Sequence, residues 1–207
     1  RLFSVAKAEI TPLLAEKPFQ YLQDITQNSV ALVYDYTDRD FDPSLYYEFE
    51  DINLITWSMG VMAAPKVLNK YDSVIVVTEA VFSMDGDSCD LKKLVELKHK
   101  FHNVYLYVDE AHSFCLYADN GAGLCKKNQV TDDIDFILTT FGKGLGSEGA
   151  CILCNETARD YLINTARSLI FSTALSPLSF AHANFMVKYM QKRNDLRERL
   201  HSISSYI

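Results

Sequence analysis

The feature that most constrains this chain is a change of hydrophobic rhythm at about Tyr71. From there, short β-branched runs alternate with segments whose apolar residues recur every three or four positions. SVIVVTE (73–79), VYLYVDE (104–110) and DFILTTF (135–141) read as strands. DLKKLVELKHKF (90–101) lies between the first two, with Leu91, Leu94, Val95 and Phe101 on one helical face and Asp90 placed as N-cap. ACILC (150–154) reads as a further strand, and Asn155 stands ready to cap a helix carrying Ala158, Tyr161, Leu162, Thr165 and Leu169. Ser176-Pro177 opens a long helix with Pro at its first position, and Leu178, Ala181, Phe185, Tyr189, Leu196 and Leu200 form its expected buried stripe. Apolar strands separated by amphipathic helices predict an α/β fold with a mostly parallel sheet flanked by helices.

Composition narrows the partners. The chain has 207 residues, 48% of them hydrophobic, which is enough to bury a real core. A net charge of −7 and a sequence pI near 5.2, with no dense Lys/Arg stripe ahead of the last helix, argue against nucleic acid. The longest apolar runs, such as VIVV (74–77), are too short to span a bilayer, so no membrane partner is expected. Five cysteines, an odd number without framework spacing, suggest reduced thiols and a cytoplasmic location. Cys151 and Cys154 have C-x-x-C spacing, but on a strand such positions point to opposite faces, so they read as small core residues and no metal site is expected. The first seventy residues are harder to read. Segment 34–43 is acidic and turn-rich, 52–70 is apolar without a clean period, and 1–70 is left unassigned.

The chemistry concentrates in LTTFGKGLGSEGACIL (138–153), which holds four of the eight glycines. Gly144, Gly146 and Gly149 spell G-x-G-x-x-G, but a dinucleotide loop must open a helix, and the strand-like ACILC follows instead. A P-loop fails as well, because Gly144 stands where Ser or Thr must bind magnesium. Asp109-Glu110-Ala111-His112 spells the DEAH box of helicase-type ATPases, yet no P-loop precedes it. What is left is a reactive lysine. Lys143 sits between glycines just past a strand end, where small neighbours leave room for a ligand. Asp109 and His112 close another strand, so a parallel sheet would bring all three to one carboxyl edge, where ligands bind. An aspartate there suits a protonated pyridine nitrogen.

Four stretches then carry a resemblance. EAVFSMDGD (79–87), VDEAH (108–112), TFGKGLG (140–146) and FSTALSP (171–177) follow one another as in the α-oxoamine synthases, fold-type I enzymes dependent on pyridoxal 5'-phosphate (PLP) that join an amino acid to an acyl thioester. With Ala150 where many relatives carry a second glycine, the chain most resembles the branch that condenses L-alanine with a pimeloyl thioester, on coenzyme A or on acyl carrier protein, in biotin biosynthesis. The resemblance implies that Lys143 holds PLP as a Schiff base and then serves as base, while Asp109 pairs with the ring nitrogen. It places His112 and Ser83 at the phenolic oxygen and Thr140 at the phosphate. Thr173 with Ser172 would reach the phosphate of the neighbouring subunit's cofactor, which implies a homodimer.

The same resemblance makes 71–176 part of the PLP-binding large domain, only partly represented in this chain, and 177–207 a helix leading toward a C-terminal domain that is absent. The family's glycine-aromatic phosphate loop and its ring-stacking histidine have no counterpart, since no histidine occurs before His99. Segment 53–68 weakly resembles the family's early region, which implies that a long stretch is missing between about Lys70 and Asp72. Two alternatives stay open. One is a relative using glycine or serine, such as an aminoketobutyrate-, aminolevulinate- or sphingolipid-forming enzyme; the other is a non-catalytic partner subunit, against which the presence of Lys143 counts.

Overall fold

The computed structural model describes residues 73–206 and the backbone of two earlier strands. The remaining expectations for the first seventy residues, and the junction near Lys70, lie outside the described residues. Two compact units emerge, Arg1–Thr78 with Glu96–Tyr105, and Glu79–Val95 with Leu106–Ile207.

In the first unit β1 (Ser29–Tyr34), β2 (Asp51–Thr56) and β3 (Val74–Glu79) run parallel, with Ser29 opposite Asp51 and Ile52 opposite Val74. The first two strands were not anticipated. SVALVY is short, and DINLIT runs into an apolar stretch without period, so only pairing with a neighbour distinguishes a strand there. β3 buries Val74, Val76 and Val77, as an apolar run in a parallel sheet must.

The second unit begins at Glu79 and takes in the first half of the next helix and all of the following strand beyond Tyr105. β4 (Val104–Asp109) and β5 (Phe136–Thr140) are parallel, with Asp109 opposite Leu138. β6 (Ala150–Cys154) returns antiparallel to β5, Thr140 facing Ala150. The expectation of a mostly parallel sheet with helices therefore holds, with one antiparallel strand added. The Ala80 amide donates to the Asp109 carbonyl at 2.8 Å, fixing the chain beyond β3 beside the end of β4. Helix α1 (Leu91–Lys100) is capped as expected: Asp90 Oδ1 accepts from the Lys93 amide at 3.2 Å, and Leu91, Leu94 and Val95 are buried. Phe101 falls just past the helix end.

The short α2 (Leu124–Lys127) follows the β4 loop. Then come α3 (Glu156–Thr165), α4 (Arg167–Ile170), α5 (Pro177–Met190) and α6 (Asn194–Ser204). Asn155 caps α3 through the Ala158 amide at 2.8 Å, but that helix stops at Thr165 and Leu169 belongs to α4. The expected single helix over 177–207 is two helices. The chain breaks at Gln191–Arg193, where Arg193 leaves helical geometry (φ −102, ψ 54) and its guanidinium pairs with Asp195 at 2.7 Å.

Its expected apolar stripe is not buried either, Leu178 being 79% and Phe185 62% exposed; the buried positions are Ala183 and Arg197. Periodicity shows which residues share a face, but not whether anything covers it. Cys151 and Cys154 also depart from expectation. Cys151 is exposed and Cys154 half-buried, on a strand none of whose five residues is fully buried. No helix among the described residues is long and apolar enough to cross a membrane.

Candidate active site

β4 and β5 end side by side, and the candidate residues stand at those ends or within three positions past them. Asp109 closes β4; its Oδ1 accepts from the Ala111 amide at 2.7 Å, an Asx-type bond that turns the chain sharply. The turn brings His112 round to face the loop after β5, and His112 Nε2 lies 2.7 Å from Lys143 Nζ. Residues 31 positions apart thus meet at the carboxyl edge that a parallel sheet predicts.

The electrostatics follow from partial burial. Desolvation raises the Asp109 carboxyl above its usual range, and the Ala111 amide, Lys143 and His112 pull it back. His112 is held below its ordinary value, first by burial and then by the Lys143 charge, with Asp109 opposing. A neutral imidazole can accept from an ammonium or donate to an anion, which suits a proton-handling pair.

Thr140, the last residue of β5, has a buried Oγ1 with no hydrogen-bond partner among the described residues. Buried hydroxyls are almost always satisfied, so this one marks a place where an acceptor belongs. Ser83 is exposed on the turn after β3, where its amide donates to Glu79 Oε2 at 3.2 Å; the Lys143–His112 contact does not include it. Ser172 and Thr173 are exposed in the segment before α5, and the Ser172 hydroxyl donates to the Leu169 carbonyl at 3.2 Å.

Sequence reasoning gave no role to Glu110. It is fully buried, and its carboxylate accepts from the Leu124 amide at 2.8 Å, the Cys125 amide at 2.6 Å and the Ser113 hydroxyl. Gly123 has φ +95, and any Cβ there would collide with that carboxylate. Glu110 therefore staples the loop behind Asp109 and His112 to the start of α2. Strand alternation was the available signal, because it turns Glu110 away from the face that Asp109 presents.

Residues 46–207 match the family described as aminotransferase class I and II. The chain belongs to that family. Within it, the chain is similar to a putative 8-amino-7-oxononanoate synthase of Haemophilus influenzae, 45% identical over 142 residues that make up 69% of this chain and 37% of that protein. A Neisseria meningitidis protein of the same description is 44% identical over the same share of each. The chain thus spans well under half the length of these curated relatives. Among solved structures, one described as SPT with PLP internal aldimine superposes with a TM-score of 0.68 at 29% identity, covering 84% of this chain and 44% of that one. An 8-amino-7-oxononanoate synthase from Francisella tularensis gives 0.61 at 26%, covering 84% and 50%. The fold-type I architecture expected from the motifs is borne out by these neighbours, as is the resemblance to the α-oxoamine synthases.

Proposed function

We propose that this family member is part of a PLP-dependent C-acyltransferase that condenses L-alanine with a pimeloyl thioester, releasing the free thiol and carbon dioxide and giving 8-amino-7-oxononanoate. The observation that carries the reading is the 2.7 Å contact of Lys143 Nζ with His112 Nε2 on the strand edge that Asp109 also occupies. The residues fit the cofactor. Thr140 Oγ1, three positions before Lys143, is a buried hydroxyl unpartnered among the described residues, and a phosphate oxygen would satisfy it. Asp109, Lys143 and His112 supply the anion, the amine and the neutral imidazole that the ring and its aldehyde require. Ser83 would join His112 at the phenolic oxygen, while Ser172 and Thr173, unburied by their own chain, would serve the neighbouring subunit of a homodimer.

Bound there, PLP supplies an electron sink for the charge left when a proton leaves the substrate Cα. The chain's own residues manage that proton. Lys143 Nζ takes it as base, and its 2.7 Å contact keeps the amine aimed along the strand edge. His112 can accept a proton from Lys143 Nζ or hand one back without moving. Asp109, raised by burial and lowered by neighbouring cations, stays where a positive ring nitrogen would hold it ionised.

A second reading has its own support, since the SPT structure superposes better than the Francisella tularensis synthase, 0.68 against 0.61. Serine would then replace alanine. Assays of the full-length protein with alanine, glycine and serine, each against pimeloyl and palmitoyl thioesters, separate these outcomes. Turnover of alanine with a pimeloyl donor is expected; turnover of serine or glycine without alanine would overturn the assignment.

A further inference from the structure

The loop that carries Lys143 is held from two sides. On one, Leu145 is fully buried, and a Cβ on Gly144 would stand 2.7 Å from the Phe114 carbonyl oxygen. The backbone there lies directly on the segment that follows His112. On the other side, three successive loop residues meet α5 and the residue run just before it. Ser147 Oγ lies 3.0 Å from His182 Nδ1, and the Ser179 hydroxyl donates to Glu148 Oε2 at 2.9 Å. Leu175 packs so tightly on Gly149 that a Cβ would stand 2.5 Å from its Cδ1.

The loop between these anchors is internally closed. Phe141 N donates to Gly149 O at 2.8 Å, Ser147 N to Phe141 O at 2.7 Å and Gly146 N to Lys143 O at 2.9 Å. A displacement of 147–149 is therefore passed to Lys143. Helix α5 buries only Ala183, so apolar packing does little to set its approach, and directional contacts must do so. The Ser176 hydroxyl, which caps α5 through the Ser179 amide, also bonds the Ser179 hydroxyl at 2.9 Å and thereby orients the donor that reaches Glu148.

We propose that His182 and Ser179 are positioning residues for Lys143: through Ser147 and Glu148 they latch the lysine loop to α5. The same latch registers that loop against the segment bearing Ser172 and Thr173, so the two move as one piece. For the role of Lys143, the proposal rests on the cofactor reading above.

The test uses the full-length protein as wild type, His182→Ala, Ser147→Ala, the double variant and His182→Asn. Three quantities are followed: the rate at which added PLP becomes borohydride-fixed on Lys143, the labelling rate of Lys143 by trinitrobenzenesulfonate without cofactor, and the thermal midpoint. His182→Ala should slow PLP capture about 10- to 100-fold, the cost expected of an ångström-scale misplacement. It should also change the labelling rate and leave the midpoint nearly in place, because His182 is exposed. The double variant should be no slower than His182→Ala, as two residues acting through one bond require. Asn, which puts a polar atom near the position of Nδ1, should restore capture. Wild-type capture and labelling rates in His182→Ala overturn the latch, as does a midpoint that falls in step with capture and is not rescued by Asn. If the wild type fails to capture PLP, the cofactor reading falls, and the labelling arm alone decides the latch.

Discussion

His112 has its charge set by three neighbours of known sign. Burial and Lys143 depress it below its ordinary 6.5, and Asp109 raises it. Removing the cation with Lys143→Met should raise the imidazole pKa, and Asp109→Asn should lower it; imidazole NMR titration of the cofactor-free protein reads both. Shifts in the opposite order would mean that the 2.7 Å contact does not persist in solution. The linkage sign follows. As pH falls through 6.5 the unfolded chain takes up this proton before the folded one, so His112 makes the fold less stable in acid. The sequence singled out Lys143, His112 and Asp109 as candidates for chemistry from residue type and place near a strand end, and the structure brings Lys143 and His112 into contact. The sequence missed Glu110, whose partners lie 14 and 15 positions away at Leu124 and Cys125.

Among the elements, the glycine loop is where sequence and structure differ most in meaning. Its G-x-G-x-x-G is incidental, since β6 and not a helix follows. The glycines are not equivalent. A Cβ on Gly144 would come within 2.7 Å of a backbone oxygen that cannot yield, whereas at Gly142 the nearest atom is Ser147 O at 3.7 Å, an ordinary contact. Gly144→Ala should therefore displace Lys143 and suppress borohydride-fixed PLP capture at least about ten-fold, by the positional argument used above. Gly142→Ala should leave capture close to wild type. Equal effects of the two would show that backbone clearance is not what Gly144 supplies.

Across the whole second unit, α6 is tied to the loop behind the site by a buried arginine. Arg197 is 3% exposed, and its guanidinium donates to the Asp119 carbonyl at 2.6 Å, the Met190 carbonyl at 2.7 Å and Asn194 Oδ1 at 3.3 Å. His201 adds a 2.8 Å contact to the Leu116 carbonyl. Carbonyl dipoles thus solvate the buried charge, and Gly121 leaves it room, since a Cβ there would stand 3.0 Å from Nη1. Arg197→Ala should remove hydrogen bonds made by a buried charged donor, a loss of about 1.5–3 kcal/mol for a bond shielded from water and less at Asp119 and Asn194, which are exposed and can turn to water. The expected result is a lower urea midpoint and early hydrogen exchange over 194–204. An unchanged midpoint with protected 194–204 amides would show that α6 is held by other contacts.

The amino-acid sequence by itself determined the alternation of strands and helices from Val74 and the caps at Asp90 and Asn155, and it singled out Lys143, His112 and Asp109 as candidates, because local periodicity and residue chemistry need no partner to be read. Only the tertiary structure decided that SVALVY and DINLIT are strands, that β6 runs antiparallel, and that the helix expected over 177–207 breaks at Gln191–Arg193. It alone decided that Glu110 and Arg197 are buried, and that Ser147 meets His182 across 35 positions of chain. These are questions of which surfaces and which distant polar groups meet, and sequence order does not carry that information.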